Sequence, residues 1–287
     1  MRLPVESGRM TTLYCGPYAL TLDRPLIMGV VNLTSDSFSG DGVGSDVRAA
    51  IAHAEAQRAA GADILDLGAE SSRPGAPPAR AEEEIRRLLP VLGAVRDWGV
   101  PVSVDTTKPK VMRAAIDAGA ALINDIAALR APGALEVVAR GEAGVCLMHM
   151  QGEPRTMQDA PQYDDVVAEV HAFLVGRVLA CVAAGIAQSR LLIDPGFGFG
   201  KTLQHNYALL RELDRIAQIG VPVLAGLSRK SMLGAVTGRE NGLARMPASV
   251  AAAVLAVERG ARIVRVHDVA ATRDALAVWN AMERGTE

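Results

Sequence analysis

The sequence is poor in aromatic residues, and it carries little net charge. Phe, Trp and Tyr together make up 3% of the 287 residues, whereas hydrophobic residues as a whole make up 49%. Small aliphatic side chains must therefore fill the core, a composition that suits close packing of helices on a sheet. The formal net charge of −2 provides no electrostatic footprint for nucleic acid or for an anionic membrane, and we expect neither as a partner.

Cysteine is also scarce. Cys15, Cys146 and Cys181 lie far apart and form no CxxC pair, and their odd number argues against a disulfide framework. A reduced, cytoplasmic protein is the expectation. No two histidines have the spacing of metal ligands, so a zinc site is not expected. The N-terminus lacks the apolar segment of a signal peptide, and no apolar run is expected to span a membrane.

Eight short apolar runs form the dominant pattern of the chain. They are continuous rather than alternating, as expected for parallel strands buried on both faces. The runs occupy residues 26–31, 64–67, 100–104, 121–123, 145–148, 191–193, 221–227 and 263–266. Ala-rich helical stretches lie between them, and a glycine that would stop the helix follows several of these stretches.

Eight such units without a break in composition predict one α/β domain over residues 1–287, a single (β/α)₈ TIM barrel. A doubly wound open sheet is the structural alternative. Residues 1–25 precede the first unit, and we expect this N-terminal extension to form a short β-ribbon that caps the bottom of the barrel.

The stretch "DPGFGFGKT" over residues 194–202 invites interpretation as a nucleotide-binding loop. The Walker pattern would require glycine where Pro195 stands, and the dinucleotide pattern would require glycine where Lys201 stands, so both fail. We interpret Gly196, Gly198 and Gly200 as positions of unusual backbone conformation in a tight turn beneath a site. Lys201 then need not contact phosphate, and it lies on the surface or steadies the loop.

Polar residues follow every predicted strand, and in a barrel the active site gathers at that end of the strands. Caps and turns explain single residues of this kind, but they do not explain the whole set. The set comprises Asn32, Glu70 to Arg73, Asp105, Asn124, Asp125, His149, Asp194, Arg229, Lys230, Arg265 and His267.

Charge divides this set into two groups with different ligand chemistry. Carboxylates, an amide and an ammonium suit the edge of an aminopyrimidine heterocycle, and these are Asp105, Asn124, Asp194 and Lys230. Donors and cations suit an anion such as diphosphate, and these are Asn32, Ser72, Arg73, Arg265 and His267. A Mg²⁺ ion would accompany a diphosphate, since it keeps several waters and needs few protein ligands.

Ordered motifs along nearly the whole chain from Leu26 resemble those of the dihydropteroate synthase family of folate biosynthesis. They are "MGVVNLTSDSFSGDG" (28–42), "GAESSRPGA" (68–76), "VDTTKP" (104–109), "IND" (123–125), "MHMQGEPRTMQ" (148–158), "DPGFGFGKT" (194–202), "GLSRKSMLG" (226–234) and "RVHDV" (265–269).

The resemblance implies a transferase with a (β/α)₈ fold, usually a homodimer. The reaction that the resemblance implies is the condensation of (7,8-dihydropterin-6-yl)methyl diphosphate with 4-aminobenzoate, which gives 7,8-dihydropteroate and diphosphate. By resemblance, the pterin is bound by Asp105, Asn124, Asp194 and Lys230 within an apolar pocket of Ile126, Met148, Phe199, Leu224 and Gly226. Asn32 matches the family residue near Mg²⁺ and the diphosphate. The residues that match the family's diphosphate contacts are Arg73, Arg265 and His267, with Ser72 beside them.

Phe38, Pro74 and Ser231 match positions that hold 4-aminobenzoate, with Arg229 adjoining, and by analogy sulfonamides compete there. Of this set, Asp105, Lys230, Arg265 and His267 are the predicted catalytic residues. The chain departs from the family pattern at Ser72, at Ser35 and at Gly40-Asp41-Gly42. These departures bear on the stiffness of the loops after the first two strands and on aminobenzoate affinity.

Other interpretations remain open at this point. A pterin-binding methyltransferase of the tetrahydrofolate–corrinoid type shares the barrel but handles no diphosphate, and a non-catalytic paralogue would bind a pterin without turnover. Ser231 serves either the aminobenzoate carboxylate or as a helix cap. His149 belongs to the family motif, or it bonds to a buried backbone group. Glu82, Glu83 and Glu84 are expected in the solvated first turn of a helix.

Overall fold

Eight parallel strands close into a barrel in this computed structural model, which describes residues 11–33, 46–70 and 79–285. The barrel strands are β3 (Leu26–Asn32), β4 (Ile64–Gly68), β5 (Val102–Asp105), β6 (Leu122–Asp125), β7 (Gly144–Met148), β8 (Leu191–Asp194), β9 (Val223–Ala225) and β10 (Ala261–Val266). They pair in chain order, and β10 closes the ring against β3. The predicted (β/α)₈ barrel is therefore confirmed, and the open-sheet alternative is wrong.

Helices follow the strands and form the outer layer. They are α1 (Val47–Ala59), α2 (Ala81–Val95), α3 (Pro109–Asp117), α4 (Ala134–Ala139), α5 (Val166–Ala183), α6 (Leu203–Arg211), α7 (Leu213–Ala217), α8 (Ser231–Thr237), α9 (Met246–Glu258) and α10 (Val269–Arg284). Several end just before a glycine with a positive φ angle, as at Gly61 and Gly185. Glycine adopts this conformation without the steric cost that a Cβ atom would bring, which explains why the sequence places it there.

Alternation along the strands separates two cores. Val102 and Val104 of β5 point outward and pack beneath the helices, where the largest cluster of buried side chains lies. Side chains at the other register positions point into the barrel. At its lower end these are apolar, including Met28, Ile64 and Leu122, whereas the upper positions carry polar groups. The barrel is therefore a filled core whose upper end holds the polar site.

The N-terminal segment covers the lower end of the barrel, as predicted. Strands β1 (Thr12–Cys15) and β2 (Tyr18–Thr21) form an antiparallel hairpin. Leu13 and Cys15 are fully buried against the lower interior cluster, and Gly144 leaves the room that the Cys15 sulfur occupies. The hairpin thus closes the end of the barrel opposite the site.

Helix α5 is a candidate membrane span that the sequence analysis did not predict. By length and composition α5 is apolar enough to cross a membrane, which corrects the expectation that no such run exists. In the fold it is a barrel helix, since Val170, Leu174 and Val178 are buried in the outer core.

Candidate active site

A cavity of about 650 Å³ opens at the upper end of the barrel. Its wall is built from the strand ends and the loops that follow them. The lining residues include the predicted Asn32, Asp105, Asn124, Ile126, Met148, Asp194, Phe199, Gly226, Arg229, Lys230, Ser231, Arg265 and His267. Glu70, which follows β4, also lines the cavity, so residues from all eight barrel strands or their following loops converge on one space, because the carboxyl ends of parallel strands meet at one end of a barrel.

Arg265 lies at the centre of a buried ion cluster at the floor of the cavity. Its Nε donates to Asp66 Oδ2 at 2.6 Å and its terminal nitrogen donates to Asp105 Oδ2 at 3.1 Å. Asn124 Nδ2 donates to the same Asp66 oxygen at 3.3 Å. The arginine and the amide are therefore held in place by one carboxylate, and that carboxylate does not itself line the cavity.

Asp66 is the main residue that the sequence reasoning missed. It lies inside β4 rather than after it, at a position opposite Val30 of β3, and its side chain is 0% exposed. A charged residue within an apolar strand was the available signal, since such a residue is almost never buried without a partner. Met157, Gln158 and Ser228 also line the cavity and were not predicted.

The two predicted groups of residues share one end of the barrel, but they are not spatially separate. The sequence assigned one group to a heterocycle and the other to a diphosphate. Instead, Arg265 is bonded to Asp105, so one of the predicted anion-binding cations lies among the carboxylates. The floor of the cavity is a mixed cluster in which positive and negative groups fix one another.

Burial shifts the pKa values of the ionisable groups in this cluster. It raises the pKa of Asp105, an effect that Arg265 opposes, and it raises that of Asp194, where the Gly196 N–H opposes it. Burial, together with the charge of the nearby Arg265, lowers the pKa of Lys230 to about 8. Burial acts against the charge of Arg265 too, but Asp66 and Asp105 outweigh it, so its pKa is raised.

Apolar side chains form a wall of the cavity above the ion cluster at its floor. Ile126, Met148, Met157 and Phe199 belong to one buried cluster at the upper end, to which Met150 also contributes. The Lys230 Nζ lies 4.2 Å from the centre of the Phe199 ring, in a cation–π contact. A flat heterocycle could lie against this wall while its edge meets the carboxylates.

Leu224 does not belong to that wall. It was predicted in the apolar pocket, but its side chain is fully buried in the lower interior cluster with Leu192 and Ile263. Its position on β9 places it one layer below the cavity, whereas Gly226, two residues further on, lines the cavity. The prediction for Leu224 is therefore corrected.

Three predicted residues at the cavity rim have defined surroundings. His267 Nδ1 lies 3.0 Å from the Ser228 hydroxyl, which also accepts from the His267 backbone N–H. The Arg229 guanidinium forms an ion pair with Asp268 at 2.7 Å, so that part of its charge is neutralised within the protein. Ser231 is the first residue of α8 and Lys230 is the capping residue, with no side-chain cap bond. Ser231 is therefore not the helix cap that we considered.

The glycine-rich loop lies directly on the backbone of the preceding strand–helix connection. Gly196 has a φ of +70°, and a Cβ atom there would come within 1.9 Å of the His149 carbonyl oxygen. Gly200 has a φ of +60°, and its Cβ atom would meet the Gln151 carbonyl oxygen at 2.3 Å. Glycine is thus required both by the backbone conformation and by the close approach, as the tight-turn interpretation predicted.

Lys201 is buried rather than on the surface. It is 3% exposed, and its ammonium group contacts main-chain carbonyls of the same loop and the ring of His149. Of the two roles that we considered, steadying the loop is confirmed and the surface position is wrong. The ring of His149 contacts a buried side chain rather than the backbone group that we considered, since its Nδ1 lies 3.0 Å from Lys201 Nζ.

A second, partly buried ion cluster borders the cavity, which Glu70 helps to line. Lys108 Nζ donates to Glu70 Oε2 and, at 2.9 Å, to Glu84 Oε2, and Glu70 Oε1 accepts from the backbone N–H of Ala79. Glu84 is 0% exposed, which corrects the expectation that it lies in solvent with Glu82 and Glu83. Asp125 also has a structural role, since it accepts from the backbone N–H groups of Ala127 and Leu129.

Other predicted residues fall outside the described part of the chain. They are Ser35, Phe38, Gly40-Asp41-Gly42, Ser72, Arg73 and Pro74. Their predicted roles stay predictions.

Asn32 is the residue predicted for a metal ion. Its Oδ1 lies beside Gly68, whose missing side chain leaves open the space between Asn32 and Asp105. Within residues 11–33, 46–70 and 79–285, no group of three His, Cys, Asp or Glu side chains could hold a metal ion by itself. This surrounding suits an ion that takes few protein ligands and depends on a bound substrate for the rest.

Comparison with known proteins agrees with the geometry. The family model for pterin binding enzymes matches residues 28–267. A dihydropteroate synthase of Neisseria meningitidis serogroup C is 54% identical over 271 residues, which cover 93% of this chain and 96% of that protein.

Two solved structures are similar throughout. Dihydropteroate synthase of Xanthomonas albilineans with 4-aminobenzoic acid is 55% identical with a TM-score of 0.90, over 96% of this chain and 99% of that one. The enzyme of Burkholderia cenocepacia complexed with 7,8-dihydropteroate is 53% identical with a TM-score of 0.88, over 95% and 96% of the two chains. The chain therefore belongs to the family of pterin binding enzymes, among the dihydropteroate synthases.

Proposed function

We propose that the cavity joins (7,8-dihydropterin-6-yl)methyl diphosphate to 4-aminobenzoate, giving 7,8-dihydropteroate and diphosphate. The observation that carries this proposal is the convergence of Asp105, Asn124, Asp194 and Lys230 on one cavity that also contains Arg265. Together these residues offer acceptors for a flat, N–H-rich ring and cations for an anionic leaving group. The relatives described above contain 4-aminobenzoic acid in one case and the condensed product in another.

The pterin ring is assigned to the floor of the cavity. A carboxylate accepts two parallel N–H bonds from an aminopyrimidine edge, and Asp194 is buried at a position to do so. Asn124 has its Nδ2 bonded to Asp66, so its carbonyl oxygen is available as an acceptor. Lys230 donates to the ring carbonyl, while Ile126, Met148 and Phe199 cover the ring face.

The reaction is a substitution at the pterin methylene carbon. The C–O bond breaks first, its electron pair leaves on the diphosphate, and the ring shares the resulting positive charge. Asp105 and Asp194 stabilise that cation, because preorganised charges in a buried site act strongly on the transition state. Arg265 and His267, with Ser72 and Arg73 from outside the described residues, stabilise the departing anion.

The nucleophile needs little activation. An aniline nitrogen is neutral at pH 7, so its lone pair forms the C–N bond without a strong general base. The nitrogen then loses a proton to the diphosphate or to water. Ser231 at the rim is assigned to the aminobenzoate carboxylate, with Arg229 adjoining it. Phe38 and Pro74 are assigned to the same substrate by resemblance alone, and sulfonamides are expected to compete for its position.

A Mg²⁺ ion is proposed beside Asn32. The open space over Gly68 and the single amide oxygen fit an ion that keeps several waters and binds mainly through substrate oxygens. When bound, it neutralises charge on the diphosphate. Asn32 would hold the ion, and Asp105 faces the same space.

A coupled assay tests the proposed function. Diphosphate release should depend on both the pterin diphosphate and 4-aminobenzoate, and Asp105→Asn should lower kcat by roughly 100-fold, because one charge that stabilises the transition state is lost. Release without 4-aminobenzoate would contradict the proposal. A protein that binds a pterin but releases no diphosphate would be the non-catalytic paralogue, and methyl transfer from a tetrahydrofolate would indicate the methyltransferase.

A homodimer and a cytoplasmic location complete the proposal. The neighbouring helices α9 and α10 carry exposed apolar side chains, with Val278 at 73% and Met282 at 65%, and Leu255 faces solvent on α9. Such exposure suits a partner surface. The three cysteines are free thiols, which suits a reducing compartment. Sedimentation of the wild type and of Val278→Glu tests the dimer, since the variant should shift toward the monomer.

A further inference from the structure

Lys201 carries a buried ammonium group that the proposed reaction does not use. Its Nζ lies 2.9 Å from the Phe199 carbonyl oxygen, 3.0 Å from that of Gly196, 3.0 Å from His149 Nδ1 and 3.3 Å from the His149 carbonyl oxygen. An ammonium group has three hydrogens to donate, so these acceptors occupy all of them. Lys201 therefore has no hydrogen left for a substrate phosphate.

The ring of His149 is in the state that this contact requires. Burial, together with the charge of Lys201, lowers the pKa of His149 to about 3, so the imidazole is neutral near pH 7. A neutral imidazole can offer one ring nitrogen as an acceptor. Burial lowers the pKa of Lys201 and the charge of Lys230 lowers it as well, whereas Asp194 favours the ammonium form, which the surrounding carbonyl acceptors also stabilise.

The acceptors around Lys201 belong to two different connections of the barrel. His149 follows β7, whereas Gly196 and Phe199 follow β8. The same two connections hold the substrate wall, since Met148 precedes His149 and Phe199 lines the cavity. Asp194 is coupled to them as well, because its side chain accepts from Gly196 N–H and its carbonyl accepts from His149 N–H.

We propose that Lys201 is a positioning residue for pterin binding: its ammonium group is the internal cation around which the loop after β8 folds, and it places Phe199 and Asp194 against the ring. The glycines allow the loop to wrap this closely, and Lys201 supplies the charge that its inward-pointing carbonyls need. The Gly-Lys-Thr sequence thus matches the end of a phosphate-binding loop, but its lysine binds main-chain carbonyls instead of a phosphate. This inference rests on the proposed function.

Lys201→Met tests the assignment, with Arg190→Met as a matched control. Arg190 is likewise a buried cation bonded to main-chain carbonyls, those of Ala143 and Val138, but it lies away from the cavity. Lys201→Met should raise the KM for the pterin diphosphate by roughly 10-fold or more, because it removes uniform binding, and should change the KM for 4-aminobenzoate by less than about twofold. Arg190→Met should lower stability and leave both KM values unchanged.

A purely structural role for Lys201 would reduce the amount of folded enzyme, and with it the maximal rate, without moving either KM. That result, or an equal rise in both KM values, overturns the proposal. Direct titration of the variant with 7,8-dihydropteroate gives the same comparison without turnover. If the wild-type protein releases no diphosphate, the proposed function fails. If the wild type is active and Lys201→Met binds the pterin normally, only this inference fails.

Lys201→Ala provides a second test if the methionine variant does not fold. Its truncated side chain leaves room for a small cation. Propylammonium in the refolding and assay buffers should therefore lower the KM of this variant for the pterin diphosphate by roughly fivefold or more. Propanol at the same concentration fills the same space without charge, and it should restore little. Equal recovery with both additives, or recovery with neither, contradicts a role for the charge.

Discussion

Arg265 Nε lies 2.6 Å from Asp66 Oδ2, a contact that joins β10 to β4 across the barrel interior. The arginine also reaches Asp105, and Asn124 donates to Asp66 as well. Asp66 thus orients one predicted diphosphate residue and one predicted pterin residue while remaining outside the cavity wall. Such a supporting carboxylate fixes the geometry of the groups that contact substrate.

Replacing Asp66 with Asn should therefore impair binding and turnover although Asp66 contacts no ligand. The amide keeps the volume but removes the charge, which leaves Arg265 with fewer acceptors in a buried site. We expect kcat/KM for the pterin diphosphate to fall by roughly 10- to 100-fold, since a misplaced charge-stabilising group costs at least this much. Steady-state kinetics with both substrates varied measures the effect.

Asp63→Asn is the matched control. Asp63 also forms an arginine–carboxylate pair, with Arg24, but this pair lies near the lower end of the barrel, outside the cavity. Its loss should lower the thermal midpoint slightly and leave kcat/KM unchanged. Similar kinetic losses in both variants would show that Asp66 acts through general stability rather than through Arg265.

Gly196→Ala should destabilise the fold far more than an ordinary loop substitution. The φ of +70° costs about 1 kcal/mol for a residue with a Cβ atom, and that atom would also lie 1.9 Å from the His149 carbonyl oxygen. We expect a loss of roughly 3 kcal/mol or more in the free energy of unfolding, since overpacking adds to the conformational cost. Urea denaturation at pH 7 measures it.

Gly99→Ala isolates the backbone contribution. Gly99 has a similar φ of +79°, but nothing lies within 4 Å of the Cβ atom it would gain. This variant should lose about 1 kcal/mol, which is the conformational cost alone. Equal losses at the two positions would mean that the loop after β8 yields to a side chain, and that its close contact with the connection after β7 is not required.

The sequence predicted the residues at the strand ends because a repeated strand–helix pattern fixes where parallel strands end. Asn32, Asp105, Asn124, Asp194 and Arg265 therefore converge as expected. Asp66 escaped prediction because it lies within a strand, where its inward direction is known only once the register is fixed. Glu84 was assigned to solvent because its partner, Lys108, comes from a different strand–helix connection.

Leu224 shows the reverse error. Its match to a family position suggested a pocket residue, but β9 is short, and two residues along the strand separate the lower core from the cavity. Lys201 was ambiguous for a similar reason. A lysine after glycines is charged and suggests an exposed position, and only the folded loop shows that main-chain carbonyls surround it.

Lys108→Met should destabilise the protein strongly because it leaves Glu84 buried without its cation. Breaking a buried ion pair by removing one partner costs roughly 3–5 kcal/mol. The double variant Lys108→Met with Glu84→Met should recover most of that loss, since an apolar pair of similar size needs no compensation. Equilibrium unfolding of the single and double variants gives the coupling.

Lys110→Met serves as its control. Lys110 pairs with Glu82, and both side chains are largely exposed. Exposed pairs contribute little to stability, so the urea midpoint should hardly move. If Lys108→Met were as mild as Lys110→Met, the pair between Lys108 and Glu84 would not be an essential part of the fold beside the cavity.

Lys230 should give the enzyme an alkaline limit. Burial, assisted by Arg265, lowers the pKa of Lys230 to about 8, so the ammonium group is lost well below the usual pH for a lysine. The neutral amine is a weaker donor to the pterin ring carbonyl, and it no longer makes a cation–π contact with Phe199. We expect kcat/KM for the pterin diphosphate to fall as the pH rises through about 8, while Lys230→Arg, which stays charged, should move the fall to higher pH.

The lowered pKa of Lys230 affects stability in the opposite direction: as the pH rises, the free energy of unfolding should increase while activity decreases. Below pH 8 both the folded and the unfolded chain carry the proton, and the folded state bears the full cost of burying the charge. Between pH 8 and the ordinary lysine pKa of about 10.4, only the unfolded chain is protonated, so this cost disappears as the pH rises. The wild type should therefore gain stability relative to Lys230→Met across that window while it loses activity. A kinetic break near pH 8 that persists in Lys230→Arg would assign the titration to another group.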